Sequence, residues 1–163
     1  MSKAFDTINI SKLINKIHTT TIPPNIIKLI ANYLRGRKAY TQFQNTTSKK
    51  QTLKTGVPQG GVLSLALFNI YTSDIPTPPN NVQLETYADD INTLKSHPKI
   101  NTAQQNLQPY LNQLYAWTLE NELLLNPDKS FSTLFTPDPA EDKTILTLTI
   151  NNTQIPTVRS PKY

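Results

Sequence analysis

Thr86-Tyr87-Ala88-Asp89-Asp90-Ile91 sets two adjacent carboxylates between two runs of strand-forming residues. Residues 82–88 and 91–94 read as strands, and the acidic pair between them as the tip of a hairpin. Two neighbouring carboxylates repel each other, and Asn-Gly or Asp-Gly would turn the chain better. A divalent cation removes the conflict, because hard carboxylate oxygens suit Mg²⁺. A solvated turn that happens to be acidic is the plain alternative. The apolar residues on either side would hold the pair rigidly near a core.

Outward from this hairpin, helices and strands interleave. Ile10, Leu13, Ile14 and Ile17 follow i, i+3, i+4, i+7, one face of a short helix. Pro23-Pro24 breaks it, and Pro24 suits the first position of a second helix carrying Ile26, Ile27, Ile30, Tyr33 and Leu34. Gly36 ends that helix. Residues 37–44 and 51–55 read as strands around a polar turn at 45–50, followed by a glycine-punctuated loop at 56–61. Residues 62–71 read as a buried helix, and Pro76, Pro78 and Pro79 as a rigid connector. After the hairpin, a helix over about 102–123 has Leu107, Leu111 and Leu114 on one face and Pro109 as an irregularity. Residues 131–136, 143–150 and 153–158 alternate as strands, with Asn151-Asn152 turning between the last two. Helices among antiparallel hairpins define an α+β chain, an antiparallel sheet with packed helices.

Composition narrows the function. The chain has 163 residues, 37 % hydrophobic and 17 % charged. Both fall below the soluble-domain averages of roughly 45–50 % and 25 %, so the core is modest. With no cysteine, a disulfide scaffold, a thiolate zinc site and a cysteine nucleophile are excluded, and an intracellular setting fits. The longest apolar run, 62–71, is about half of what a membrane-spanning helix needs and is interrupted by Ser64 and Asn69, so no membrane partner is expected. No basic segment followed by an apolar one opens the chain as a secretory signal would. Sixteen basic residues against 11 acidic give +5, which favours a polyanionic partner, nucleic acid first. Lys28, Arg35, Arg37, Lys38, Lys49, Lys50 and Lys54 form either a phosphate-facing strip or solvated faces. Tyr115 and Trp117 suit helix packing, and His18 and His97 the surface.

Tyr87-Ala88-Asp89-Asp90 resembles motif C of reverse transcriptases. Thr55-Gly56-Val57-Pro58-Gln59-Gly60-Gly61-Val62-Leu63-Ser64 resembles motif B, and Leu67-Phe68-Asn69 continues the match. Ser2-Lys3-Ala4-Phe5-Asp6 resembles the end of motif A, and the run from Asn121 to Ser130 resembles motif D. The wording of these motifs is similar to that of LINE-type, jockey-like non-LTR retrotransposon polymerases. A group II intron maturase or telomerase fits it less well. The resemblance implies one partial reverse transcriptase domain over 1–163: motif A ending at 1–6, motif B at 55–69, motif C at 86–91, motif D at 121–130 and C-terminal strands at 131–163. The fold it implies is a partial palm with fingers-proximal helices.

The resemblance also implies roles. Nucleotidyl transfer uses two divalent cations; Asp89 would be the main motif C ligand and Asp90 the second and weaker one, or else a turn acceptor. Phe5 would lie under the incoming sugar and exclude a 2′-hydroxyl, or be an ordinary core ring. The Ala4 amide would approach the sugar 3′-hydroxyl. Gln59 and Gly60 would touch the incoming nucleotide. Lys129 would be the general acid for the leaving pyrophosphate, or a solvated charge. Asp6 would be a local hydrogen-bond acceptor or helix N-cap. The partners implied are an RNA template, a DNA primer and dNTP, in cytoplasm and nucleus.

The pattern departs from the family at two places. The family's motif A aspartate would lie immediately before Met1, with the first palm strand, and Leu65 stands where a proline commonly follows the serine of motif B. Residues 160–163 fall where the family continues toward motif E. Weak Mg²⁺ binding and an inactive isolated chain are therefore expected; a non-catalytic nucleic-acid-binding remnant is the alternative.

Overall fold

The computed structural model describes residues 3–79 and 81–159. Met1 and Ser2 of the motif A match, and residues 160–163 of the expected C-terminal strands, lie outside the described residues. The chain divides into two compact units, one from Lys3–Asp74 with Asn121–Leu123, the other from Ile75–Glu120 with the residues from Leu124 onward.

The first unit starts with a single helical turn, α1 (Ala4–Thr7), entered through Lys3 at φ 49°. Helix α2 (Ile10–His18) is capped by Asn9, whose side chain accepts from the Lys12 amide at 3.1 Å. Its 13, 14 and 17 positions are buried, as the periodicity predicts. Helix α3 (Pro24–Leu34) has Pro24 at N1, where a missing N–H costs nothing. It buries Ile27, Ile30, Ala31 and Leu34 and leaves Ile26 and Tyr33 exposed, so the buried stripe is narrower than the apolar one.

The strands that follow are shorter than the sequence suggests. β1 (Lys38–Ala39) pairs with β4 (Gln51–Thr52), and β2 (Gln42–Phe43) pairs with β3 (Thr46–Thr47), both antiparallel. The turn is Gln44-Asn45, with Gln44 at φ 51°, not the polar stretch 45–50; Thr46 and Thr47 belong to the ladder. Every residue of this hairpin is exposed, which is why apolar alternation could not set its register. Helix α4 (Val62–Tyr71) is not buried all round. Ser64, Leu67, Phe68 and Tyr71 form its buried stripe, while Val62, Leu63 and Leu65 face solvent.

Polar ties fix this unit. The Tyr71 hydroxyl, fully buried, donates to the Asn121 carbonyl at 2.6 Å and accepts from the Asn9 amide at 3.4 Å. The Lys16 ammonium donates at 2.6 Å each to the Tyr71 carbonyl, Asp74 and Asn121. Glu122, at φ 54°, accepts from Asn9 and pairs with Lys12 at 3.0 Å. Burial pushes the Tyr71 hydroxyl above the ordinary tyrosine pKa, and the Lys12 and Asn9 donors hold the Glu122 carboxyl below the usual carboxylate range.

The second unit begins with the proline connector and a hairpin, β5 (Val82–Tyr87) with β6 (Asp90–Lys95). Helix α5 (Ile100–Glu120) runs unbroken through Pro109 and is longer at its start than expected. Tyr110, Leu111 and Leu114 pack with Val82, Leu148, Ile150 and Ile155 into one core, with Leu84, Ile91 and Tyr115 at its margin. Trp117 is buried, the packing role its sequence position suggested.

The C-terminal segment differs most from expectation. Only β7 (Thr149–Ile150) and β8 (Thr153–Gln154) form a ladder, with the expected Asn151-Asn152 turn at positive φ. Residues 131–136 contribute one parallel bridge, Ser132 to Thr157, and Glu141–Lys143 form a 3₁₀ turn that takes up the first residue of the expected strand 143–150. Leu146, Leu148 and Ile150 still alternate into the core. Their intervening amides are met by helix side chains: Gln104 Oε1 accepts from the Thr147 amide at 2.6 Å, and Gln108 Oε1 accepts from that of Thr149 at 2.8 Å. The result is α+β with four separate two-stranded antiparallel ladders among the described residues, rather than one sheet.

Candidate functional site

The hairpin that resembles motif C belongs to the second unit. The register pairs Tyr87 with Asp90, so the turn is Ala88-Asp89, with Ala88 at φ 51°, and Asp90 is the first residue of β6. The expectation of both carboxylates in the turn is thereby corrected by one residue. Side chains at 82 and 84 and at 91 and 93 turn inward, while Glu85, Tyr87, Asp90 and Asn92 line the outer face. Asp89 is half-buried at the tip and Asp90 exposed. Only the inner face of the hairpin touches the core, and Tyr87 is 81 % exposed.

The part of the motif D match from Leu124 onward lies in the same unit and contains a capped turn. Pro127–Lys129 form a 3₁₀ turn whose Asn126 cap accepts from the Asp128 amide at 3.1 Å, and the Ser130 hydroxyl donates to the Asn126 carbonyl at 2.9 Å. The Asn-Pro and Ser positions therefore build the turn, and the Lys129 side chain projects from it into solvent.

The motif A and motif B residues come together in the first unit. The Gly56 amide donates to Ile8 O and the Val57 amide to Phe5 O, each at 2.8 Å. The Thr55 hydroxyl donates to Asp6 O at 2.9 Å, and Gln59 Nε2 donates to Asp6 Oδ1 at 3.0 Å. Asp6 is thus an acceptor, but of donors distant in sequence; it lies inside α1 and is not an N-cap. Gln59 spends its amide nitrogen on Asp6. Phe5 is half-buried and stacks on the buried Phe68, ring centroids 4.7 Å apart and 22° from parallel. Ala4 is buried, and Gly60, at φ 77°, stands in open space.

Two residues matter here that sequence reasoning gave no separate role. Gly56 has φ 84°, and a Cβ there would lie 2.8 Å from both Asp6 Cα and Asp6 O. Only glycine lets motif B approach motif A this closely. Arg37 donates from Nε to Leu34 O at 3.2 Å and from Nη2 to Thr55 O at 3.0 Å and to Gly56 O. Its guanidinium locks the entrance of the motif B loop to the end of α3. Gly56 was visible as part of the motif; a single arginine in a basic run carries no signal of its carbonyl partners. Asp6, Arg37, Gln59 and residues 52–58 line a shallow, open cleft of about 510 Å³.

Hard oxygen donors at residues 89 and 90 suit a divalent cation. Among the described residues, no group of three or more Asp, Glu, His or Cys stands together. No helix among them is long and apolar enough to cross a membrane.

The segments read as motifs thus take the form of a glycine-dependent loop stapled to an alanine-phenylalanine-aspartate turn in the first unit, and of an acidic hairpin tip and a capped Asn-Pro-x-Lys-Ser turn in the second. Residues 1–157 match the family model described as reverse transcriptase (RNA-dependent DNA polymerase), and the chain belongs to that family. It is 35 % identical over 143 residues to the probable RNA-directed DNA polymerase from transposon BS of Drosophila melanogaster, covering 83 % of this chain and 16 % of that protein. It is 30 % identical over 143 residues to the RNA-directed DNA polymerase from mobile element jockey of Drosophila funebris, with the same coverage. The probable RNA-directed DNA polymerase from transposon X-element of Drosophila melanogaster is 28 % identical over 120 residues, 71 % of this chain and 13 % of that protein. The chain spans about a sixth or less of the curated relatives it matches. The jockey-like resemblance read from the motifs agrees with these matches.

Proposed function

We infer that these residues form the partial palm of an RNA-directed DNA polymerase of the mobile-element type, which copies an RNA template from a DNA primer using dNTP. The observation that carries the reading is the stapling of motif A to motif B around Gly56, because it fixes Phe5, Asp6 and Gln59 around one loop. Asp89 and Asp90 would hold divalent metal, Mg²⁺ in the cell. Metal held there would supply charge stabilisation for phosphoryl transfer.

The remaining roles belong to the chain's own side chains. Phe5, backed by Phe68, presents a ring that cannot hydrogen-bond a 2′-hydroxyl and leaves it no room. The Ala4 amide would approach the sugar. The Asp6 carboxylate orients Gln59 so that its amide oxygen, with the open Gly60, meets the incoming nucleotide. Lys129, held on a rigid turn, would give a proton to the departing pyrophosphate. The parent protein would work in cytoplasm and nucleus.

The two adjacent carboxylates lack a third ligating side chain among the described residues, and Asp6 is engaged by Gln59. These 163 residues in isolation would therefore bind metal weakly and catalyse nothing. Manganese(II) titration followed by NMR line broadening tests the metal site. Broadening should centre on the amides of 88–91 and disappear in Asp89→Asn. Broadening centred on the acidic stretch 138–142, or unchanged in that variant, would contradict it.

A further inference from the structure

The hairpin β1–β4 sets exposed rings among exposed lysines. Each residue from Lys38 to Thr55 is exposed, yet two large rings lie among them, Tyr40 at 54 % and Phe43 at 73 % exposure. Lys38, Lys49, Lys50 and Lys54 surround them in sequence, and Lys50 Nζ sits 6.0 Å from the Tyr40 ring centroid. Residues 7–73 contain no aspartate or glutamate at all, so nothing on this stretch of chain neutralises the lysines. Arg37 at the hairpin base is occupied by backbone carbonyls, which separates the structural cation from the exposed ones.

We propose that this hairpin is a binding platform for single-stranded nucleic acid, with Tyr40 and Phe43 stacking on bases and Lys38, Lys49 and Lys50 meeting phosphates. Exposed rings beside unneutralised lysines are the elements of single-strand recognition, because every base has a face on which a ring can stack. A duplex hides those faces and would use only the charges. An anionic membrane is the less suitable partner: the residues around the rings, 41, 42 and 44–48, are Thr, Gln, Asn and Ser, hydrogen-bonding side chains without the contiguous aliphatic surface that insertion needs. The platform is distinct from the carboxylate tip and stands whether or not the catalytic reading does.

The test is fluorescence anisotropy on the 163-residue chain with labelled 15-mers of RNA and of DNA, an RNA·DNA duplex of the same sequence, and vesicles of anionic phospholipid as competitor. The single strands should bind more tightly than the duplex, in EDTA as in Mg²⁺, and equally in Asp89→Asn. Tyr40→Ala and Phe43→Ala should each weaken single-strand binding about tenfold, the scale of one lost base stack. Lys49→Gln with Lys50→Gln should lower the salt slope by about 1.4, near 0.7 for each phosphate contact to a single strand. Lys28→Gln on α3 should leave affinity and slope almost unchanged. Circular dichroism should match throughout, since the hairpin supports no core. Full affinity in both aromatic variants, equal loss in Lys28→Gln, tighter duplex than single-strand binding, or displacement by vesicles would each overturn the platform. Dependence on metal or on Asp89 would instead assign the binding to the catalytic reading.

Discussion

A single added methyl at residue 56 would strike the backbone of Asp6, whereas at residue 60 it would meet nothing within 4 Å. Both glycines have positive φ, so Ala at either costs about 1–2 kcal/mol in backbone conformation alone. Gly56→Ala must in addition push motif B off motif A, an overpacking cost of about 1–3 kcal/mol. Urea unfolding should rank Gly56→Ala well below Gly60→Ala in stability; equal effects would mean the contact is loose. Glu122 supplies a pH test at the same scale. Its carboxyl is held below the ordinary range by Lys12 and Asn9, so its contribution is complete above that range. It is lost as pH falls through the ordinary range and below, because the unfolded chain takes up the proton first. The stability gap between the wild type and Glu122→Gln should be present at neutral pH and close on acidification; a gap independent of pH would contradict the pairing. At this scale the sequence was a good guide to identity but not to partners. Asp6 reads as a local acceptor, yet its donors, Thr55 and Gln59, lie about fifty residues away and no local rule reaches them.

Helices were legible because their burial follows a 3.6-residue period strong enough to survive tertiary context, as at 13, 14 and 17. Helix α4 shows the limit: an almost uniformly apolar run does not say which stripe is buried, and only 64, 67, 68 and 71 are. Strands were less legible for two physical reasons. Alternation cannot see the positive φ of Ala88 that moves the turn by one residue. Nor can it see that the amides of Thr147 and Thr149 bond to glutamine side chains of α5 rather than to a strand. Gln108 holds both polar groups of Thr149, accepting from its amide and donating to its carbonyl at 2.9 Å. Gln108→Leu keeps the volume but removes both bonds, and should cost about 1–3 kcal/mol in urea unfolding. It should also speed hydrogen exchange at the Thr149 amide; unchanged protection there would show that the ladder, not the glutamine, holds the segment.

For the whole molecule, net charge hides a division. Residues 1–74 carry ten basic and two acidic residues, a formal +8, while residues 75–163 carry six basic and nine acidic, a formal −3. The value of +5 therefore understates the first part as a partner for phosphates, and the acidic part carries the proposed metal ligands. The measurement that tests the polymerase reading most directly is templated dNTP incorporation by a chimera. The stretch of this chain aligned with the transposon BS polymerase replaces its counterpart in that protein. Primer extension on an RNA template is expected of the chimera and none of the 163-residue chain alone. Asp89→Asn in the chimera should reduce incorporation by about a thousandfold or more, the scale of several kcal/mol of lost metal assistance. Retained incorporation in the Asp89→Asn chimera, or templated Mg²⁺-dependent synthesis by the isolated chain, would contradict it.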